Sequence, residues 1–266
     1  MSATLGNMTV SHDGVRVVLT GAAGGIGTSA AAALRARGAR VIGLDVRPGD
    51  DVIECDVRDQ AAVDAAVAEA ARSLGSIDVL VNNAGLGAAQ DAGAPPDEAA
   101  LRLLDVNLLG PWRVTAAAIP HLLAARGRVV NVASGLSHMA IPWGAAYCMS
   151  KRGLVAYSDV LRLEYGDRIT VTTVYPGYIR TPIHDAPAAK GITLEGAVPA
   201  EPVAAAGEAI ARAALGPPVR DLATTRHGAV AYALLRRLPR RWIDRGVAQR
   251  ARGRRPDFDP RTEAAG

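Results

Sequence analysis

Short apolar runs rich in β-branched residues alternate with alanine-rich stretches of helical spacing along most of the chain. This alternation constrains the fold more than any other feature. Residues 15–20 (VRVVLT), 40–45 (RVIGLD), 77–81 (IDVLV), 128–133 (RVVNVA) and 169–175 (ITVTTVY) read as strands, with a weaker one at 52–56. Nearly continuous apolar runs of this length suit strands buried on both faces. Helical patterns lie between them: 26–37, stopping at Gly38; 59–74, with Asp59 as N-cap and Gly75 as stop; 96–125, with a break near Gly110 and Pro111; and 145–165, closed by Gly166. Such alternation implies right-handed βαβ units, and hence an α/β fold: a doubly wound parallel sheet with helices on both faces.

Neither an internal repeat nor a linker precedes residue 180, so residues 1–266 are expected to form a single domain. Its core covers about 14–215. Residues 180–202 read as a loop with at most a short helix, of which about 183–200 is the substrate loop, and 202–215 as a helix. A variable C-terminal segment spans about 219–266, and its stretch 232–250 is amphipathic and basic.

Composition adds limits. The chain is 49% hydrophobic and 21% charged, ordinary for a globular protein with a well-buried core. The net charge of +4 is small and much of the excess lies in the last thirty residues, which favours a solvated, slightly basic surface over nucleic-acid binding. Cys55 and Cys148 stand far apart in segments read as core or site, which argues against a disulfide framework and for a reducing cytoplasm. The polar first fourteen residues lack a signal-peptide core, and no run approaches the ~18 apolar residues that span a bilayer. A soluble, cytoplasmic protein is expected.

The turn after the first strand reads Thr20-Gly21-Ala22-Ala23-Gly24-Gly25-Ile26-Gly27. Glycines there let the backbone turn sharply and approach a pyrophosphate, which rests on the amides of the following helix. A glycine-rich turn alone is a weak signal. Here it follows a strand and opens a helix, and an acid, Asp45, ends the next strand, so the sheet is expected to be a Rossmann fold. An acid at that position accepts both ribose hydroxyls of NAD and repels the 2′-phosphate of NADP. Gly24, in place of a cationic residue, supports the same preference, while Arg40 and Arg47 lie close by in sequence.

At this point the chain resembles the short-chain dehydrogenase/reductase family, in its compact subgroup. The family's TGxxxGxG turn is matched by Gly21, Gly25 and Gly27, and Asp56-Val57 matches the pair whose acid meets the adenine. Asn82-Asn83-Ala84-Gly85 matches NNAG, and Asn107 lies in VNLLG, where the family has its catalytic asparagine. Ser134 closes the fifth strand, and Tyr147-Cys148-Met149-Ser150-Lys151 matches YxxxK. Pro176-Gly177 follows the sixth strand, with Ile179 and Thr181 where the family binds the nicotinamide amide. The resemblance covers roughly residues 14–182. It implies a catalytic set of Asn107, Ser134, Tyr147 and Lys151. Lys151 would also grip the nicotinamide ribose, and Asn107 would hold a water that links Lys151 to solvent.

The chemistry has a physical basis of its own. Tyr147 and Lys151, four apart on a helix, share a face. A free phenol, with a pKa of ~10, is a poor base at neutral pH. A neighbouring ammonium and the positive nicotinamide ring favour the phenolate, which can take an alcohol proton as hydride leaves. Ser134 would hydrogen-bond the substrate oxygen. Taken singly, YxxxK is common on helix surfaces, Asn107 reads equally as a helix cap and Ser134 as a strand-end turn. Their order after a dinucleotide turn gives them weight. Cys148, turned about 100° from Tyr147, reads as a core cysteine. The histidines at 12, 121, 138, 184 and 227 show no metal-ligand spacing, so no metal is expected; His138 and His184 are candidates to border the substrate.

Three segments are expected to line the pocket: 86–94, 135–143 and 183–199. They offer Leu136, Met139, Ile141, Trp143, Ile183 and Leu194, with few charges apart from Asp185, Lys190 and Glu195. That lining suits a hydrophobic secondary alcohol or ketone, whether steroid, retinoid, terpenoid or acyl-like. The alternative of a different class is a non-catalytic dinucleotide-binding regulator or scaffold. Nothing at the C-terminus resembles the seventh strand and glycine-rich close of many family members; the tail resembles those of steroid- and retinol-dehydrogenase-like relatives. A homodimer through the helices near 100–125 and 145–165 is therefore expected before a homotetramer. The basic segment either packs Leu234, Leu235, Leu238, Trp242 and Ile243 over the substrate mouth or docks on an anionic membrane. Pro239 interrupts it, which favours the packed arrangement over peripheral membrane contact.

Overall fold

A computed structural model describes residues 14–189, 192, 195 and 198–251. His12, Lys190 and Leu194 lie outside the described residues. Seven strands form one parallel sheet: β1 (Arg16–Thr20), β2 (Arg40–Asp45), β3 (Val52–Glu54), β4 (Val79–Asn82), β5 (Arg128–Val132), β6 (Thr170–Tyr175) and β7 (Asp221–Ala223). Their order is β3-β2-β1-β4-β5-β6-β7. The winding therefore reverses between β1 and β4. In an open α/β sheet, the crevice at the carboxyl ends of two such strands is where ligands bind.

The helices are α1 (Gly25–Arg35), α2 (Gln60–Leu74), α3 (Glu98–Leu104), α4 (Gly110–Ala125), α5 (Ala145–Tyr165), α6 (Asp185–Ala189), α7 (Val203–Leu215), α8 (Arg226–Arg237) and α9 (Arg240–Ala251). Successive strand residues point to opposite faces. Val17 and Leu19 of β1 accordingly pack with Leu34 of α1 and Ile210 of α7, while Val18 packs with Val63 and Val67 of α2 and Leu122 of α4. Small residues let α1 and α7 approach closely: a Cβ built on Gly207 would lie 2.4 Å from Ser29 Oγ.

Three features differ from the sequence expectations. The break in the 96–125 helix is a π-turn, Asp105–Leu109, between α3 and α4. Pro111 then occupies the first turn of α4, where a missing N–H costs nothing. A seventh strand exists after all. β7 has three residues, too few for a sequence period, and is held by its neighbours: the Thr173 N–H donates to Arg220 O at 2.9 Å and Thr172 Oγ1 to Val219 O at 2.6 Å. The 232–250 segment is divided at Pro239 into α8 and α9. Its expected inward face lies largely outward, with Leu234, Leu238 and Trp242 42–56% exposed. Tyr232 and Arg236, on the opposite side of α8 from Leu234, make the contacts with the body of the protein. Among the described residues, no helix is long and apolar enough to cross a membrane.

Candidate active site

The glycine turn sits at the reversal point between β1 and β4. Thr20 Oγ1 accepts the N–H groups of Asn83 and Ala84, both at 3.0 Å. Asn83 Nδ2 in turn donates to the carbonyls of Thr20 and Gly21 at 3.1 Å, so the ends of β1 and β4 are locked together. Gly21 has φ +67° and no space for a side chain: a Cβ would lie 2.7 Å from Ala84 Cα. At Gly27 a Cβ would lie 2.0 Å from the Gly21 carbonyl. Gly24 caps α1 without a side-chain hydrogen bond, which leaves the leading amides of that helix open to a ligand. Ile26 packs into the core beneath, and Thr181 lies against Gly25 from the β6 side.

Asp45 is buried at the end of β2. Its carboxylate accepts from the Ala23 N–H at 3.0 Å and from the Arg47 N–H and Nε at 3.1 and 3.5 Å. It thereby fixes the turn as well as facing it. Arg40 turns away and donates to the carbonyls of Ser73 and Leu74, while Arg47 stays beside the acid. Asp56 is bound by Arg58, whose guanidinium holds the carboxyl below its ordinary range. Val57 is buried against Gly110.

Asn107 occupies the π-turn and is fully buried. Its Nδ2 donates to Leu86 O at 2.9 Å and to Ser150 Oγ at 3.3 Å, and its Oδ1 accepts from the Leu86 N–H at 2.7 Å. The reciprocal pair pins the segment after Gly85 to the π-turn, and the Ser150 bond ties that turn to α5. A Cβ on Gly85 would lie 3.4 Å from Asn107 Oδ1 and 3.5 Å from Lys151 Nζ, so the bare glycine marks where the two converge.

Ser134 lies two residues beyond β5 and accepts from the Leu136 N–H at 3.1 Å. Lys151 is buried, donates to Val132 O at 3.0 Å and stands 6.0 Å from the centre of the Tyr147 ring. Burial pulls the lysine down to about 8. Burial also pushes the Tyr147 phenol up, against the lowering effect of Ser134. Lys151 is bonded to the β5 backbone, and desolvation rather than its ammonium governs the phenol.

The three predicted lining segments do converge. The Gln90 N–H donates to Trp143 O at 2.9 Å, and the Ile183 carbonyl lies against Gly87. Leu136, Met139, Ile141, Trp143 and Ile183 are half-buried there, whereas Asp185 and Glu195 are exposed. His138 is wedged between Tyr175 and Tyr232, with ring centres 4.6 and 5.0 Å away, and burial lowers it to about 4. His184 lies edge-on to Tyr178. Cys148 is buried, and burial raises its thiol. Among the described residues, no group of three or more His, Cys, Asp or Glu side chains could hold a metal.

Other residues at the site, apart from Asn82 of the NNAG match, carry no motif. Asn82 Nδ2 donates to Thr115 Oγ1 and Asn131 Oδ1, and Asn131 Nδ2 to Ser158 Oγ, a buried chain that ties β4, β5, α4 and α5 together. Beyond Asn82, an asparagine within the apolar run of β5 was its sequence signal. Glu201 accepts from the Gly177 N–H at 3.1 Å, from Thr225 Oγ1 at 2.7 Å and from Thr224 Oγ1, linking the Pro176–Gly177 turn to the start of α8. Beyond that turn, Ile179 is buried. Tyr232 of α8 presses on Gly135, beside Ser134. Gln90 is 8% exposed, and neither amide atom has a hydrogen-bond partner among the described residues.

A family model described as short chain dehydrogenase matches residues 16–190. The oxidoreductase UcpA of Escherichia coli K12 is 36% identical over 190 residues, 64% of this chain and 71% of that protein. D-threitol dehydrogenase of Mycolicibacterium smegmatis is 35% identical over 190 residues, with 64% and 72% covered. Among solved structures, a short chain dehydrogenase from Burkholderia cenocepacia in complex with NADP superposes with a TM-score of 0.75 at 27% identity, covering 88% of this chain and 98% of that one.

Proposed function

The chain belongs to the short chain dehydrogenase family, and on that premise we propose that it is an NAD-dependent dehydrogenase of hydrophobic secondary alcohols, or the reductase of the corresponding ketones. The observation that carries the reading is the convergence of Asn107 and the buried Lys151 at Gly85, with Tyr147 one helical turn from that lysine and Ser134 acting on its phenol.

The residues present fit a dinucleotide. The tight glycine turn, the open amides of α1, Asp45 and the turn 176–181, reaching Gly25 through Thr181, surround one cleft. Gly21, Gly24, Gly25, Ile26 and Gly27 would hold the pyrophosphate, Asp45 the adenine ribose, and Asp56 and Val57 the adenine. Asn83, Ala84, Gly85, Pro176, Gly177, Ile179 and Thr181 would line the nicotinamide half. NAD, when bound, accepts or supplies the hydride and brings positive charge to the tyrosine.

Tyr147 Oη takes the hydroxyl proton of the alcohol in oxidation and returns it in reduction. Ser134 Oγ holds the same substrate oxygen and stabilises charge that develops on it. Lys151 favours the phenolate and grips the ribose, and Asn107 places the water through which its proton reaches solvent. The half-buried apolar lining supports a hydrophobic substrate, and two buried unpaired thiols support a cytoplasmic setting. We further propose a homodimer through α4 and α5.

The test follows reduced-nicotinamide absorbance over a panel of steroid, terpenoid and simple secondary alcohols, with NAD and NADP side by side. Turnover with NAD is expected, and Asp45→Ala should narrow the preference for it. No turnover with any panel member would favour a non-catalytic role. A strong NADP preference in the parent would refute the role given to Asp45 and point to Arg47.

A further inference from the structure

We infer that the outer surface of α8 and α9 is a docking site for an anionic lipid membrane. Val230, Leu234, Leu238 and Trp242 recur at four-residue spacing across the two helices and are 62, 54, 42 and 56% exposed. Tyr232 and Arg236, which meet Gly135, His138 and Tyr175, occupy the opposite side of α8. α8 is therefore anchored by one face and, among the described residues, leaves Val230 and Leu234 uncovered on the other, with Leu238 exposed in the link beyond it and Trp242 exposed in α9. Seven arginines and a single acid, Asp244, fall between residues 226 and 251. That surplus of six exceeds the +4 of the whole chain, so the rest of the protein is net acidic. Arg226, Arg237, Arg240, Arg241 and Arg245 are all exposed.

An aliphatic stripe with a tryptophan, flanked by arginines, is the composition of a helix lying in a lipid interface, where apolar burial and attraction to anionic headgroups add. Two other occupants fit less well. A second copy would bring six more positive charges against the first. Nucleic acid would meet the arginines but leave the leucines and valine in water. Pro239 does not prevent this arrangement: α9 resumes at Arg240, and Trp242 stays exposed in its first turn. On the dehydrogenase reading, Tyr232 places the Ser134 side of the site beside this surface, so alcohols dissolved in a bilayer become the accessible substrates.

The test is co-sedimentation of the full chain with phosphatidylglycerol–phosphatidylcholine vesicles and with pure phosphatidylcholine vesicles, which reads binding independently of turnover. Binding is expected to the anionic vesicles alone and to weaken as salt rises. Arg237→Glu with Arg241→Glu should reduce it about tenfold or more. Leu234→Glu should reduce it too, with circular dichroism unchanged since the side chain is exposed. Bromolipid quenching of tryptophan emission should be lost in Trp242→Phe. Equal binding to neutral vesicles, retention by the charge-reversed variant, displacement of vesicles by an oligonucleotide, or a Leu234→Glu variant that loses self-association and keeps vesicle binding would each overturn the proposal.

Discussion

Tyr147 stands in an environment that resists its ionisation. Burial raises the phenol, and the neighbouring Ser134 hydroxyl is the opposing influence. Alcohol oxidation needs the phenolate, so its rate should climb with pH, whereas ketone reduction needs the protonated phenol and should fall. Tyr147→Phe keeps the ring packed against the cluster of Ala100, Leu103 and Ala146 but removes the proton carrier. We predict that kcat falls about a hundred- to ten-thousandfold, as is typical when a general acid or base is lost, with nucleotide affinity unchanged by fluorescence titration. A variant as active as its parent would sink the mechanism. The meeting of Asn107, Ser134, Tyr147 and Lys151 was legible in sequence because each belongs to an ordered motif or a fixed helical spacing. Glu201, Gln90 and Tyr232 were not, because their positions depend on chain segments that meet only in the folded state.

At the scale of elements, α8 is held by a small aromatic stack in which His138 lies between Tyr175 and Tyr232. Burial lowers His138 to about 4, nearby Arg236 and Arg152 act in the same direction, and Asp221 acts against them. Between about 4 and the ordinary value of ~6.5, the unfolded chain binds a proton that the folded chain refuses. Stability should therefore be lost as pH falls through that window. Melting temperatures measured from pH 7 to 4 should drop more steeply for the parent than for His138→Phe; parallel curves would refute the assignment. The same scale shows what sequence periodicity can and cannot read. β2 and α5 matched their expected bounds, because α5 ends at a glycine and β2 is an apolar run closed by an acid. The π-turn at Asn107 escaped, since one extra residue per turn is decided by contacts with Leu86 and Ser150. β7 escaped because three residues carry no period.

For the whole molecule, a second apolar surface lies on α4 and α5. Leu109, Trp112, Met149 and Leu163 are 41–87% exposed, and Trp112 stacks on Tyr157 across the two helices. Leu163, 87% exposed, costs little to change in a monomer. Leu163→Glu is predicted to convert the protein from dimer to monomer in sedimentation velocity with its circular dichroism unchanged; an unaltered sedimentation coefficient would exclude this face as the dimer contact. The sheet itself invites no such partner. Both of its outermost strands, β3 and β7, are three residues long. Each therefore offers only a few free hydrogen-bonding groups, too short a template for strand addition by a neighbour. Crowding or high expression should leave the chain free of fibrils seeded at its margins.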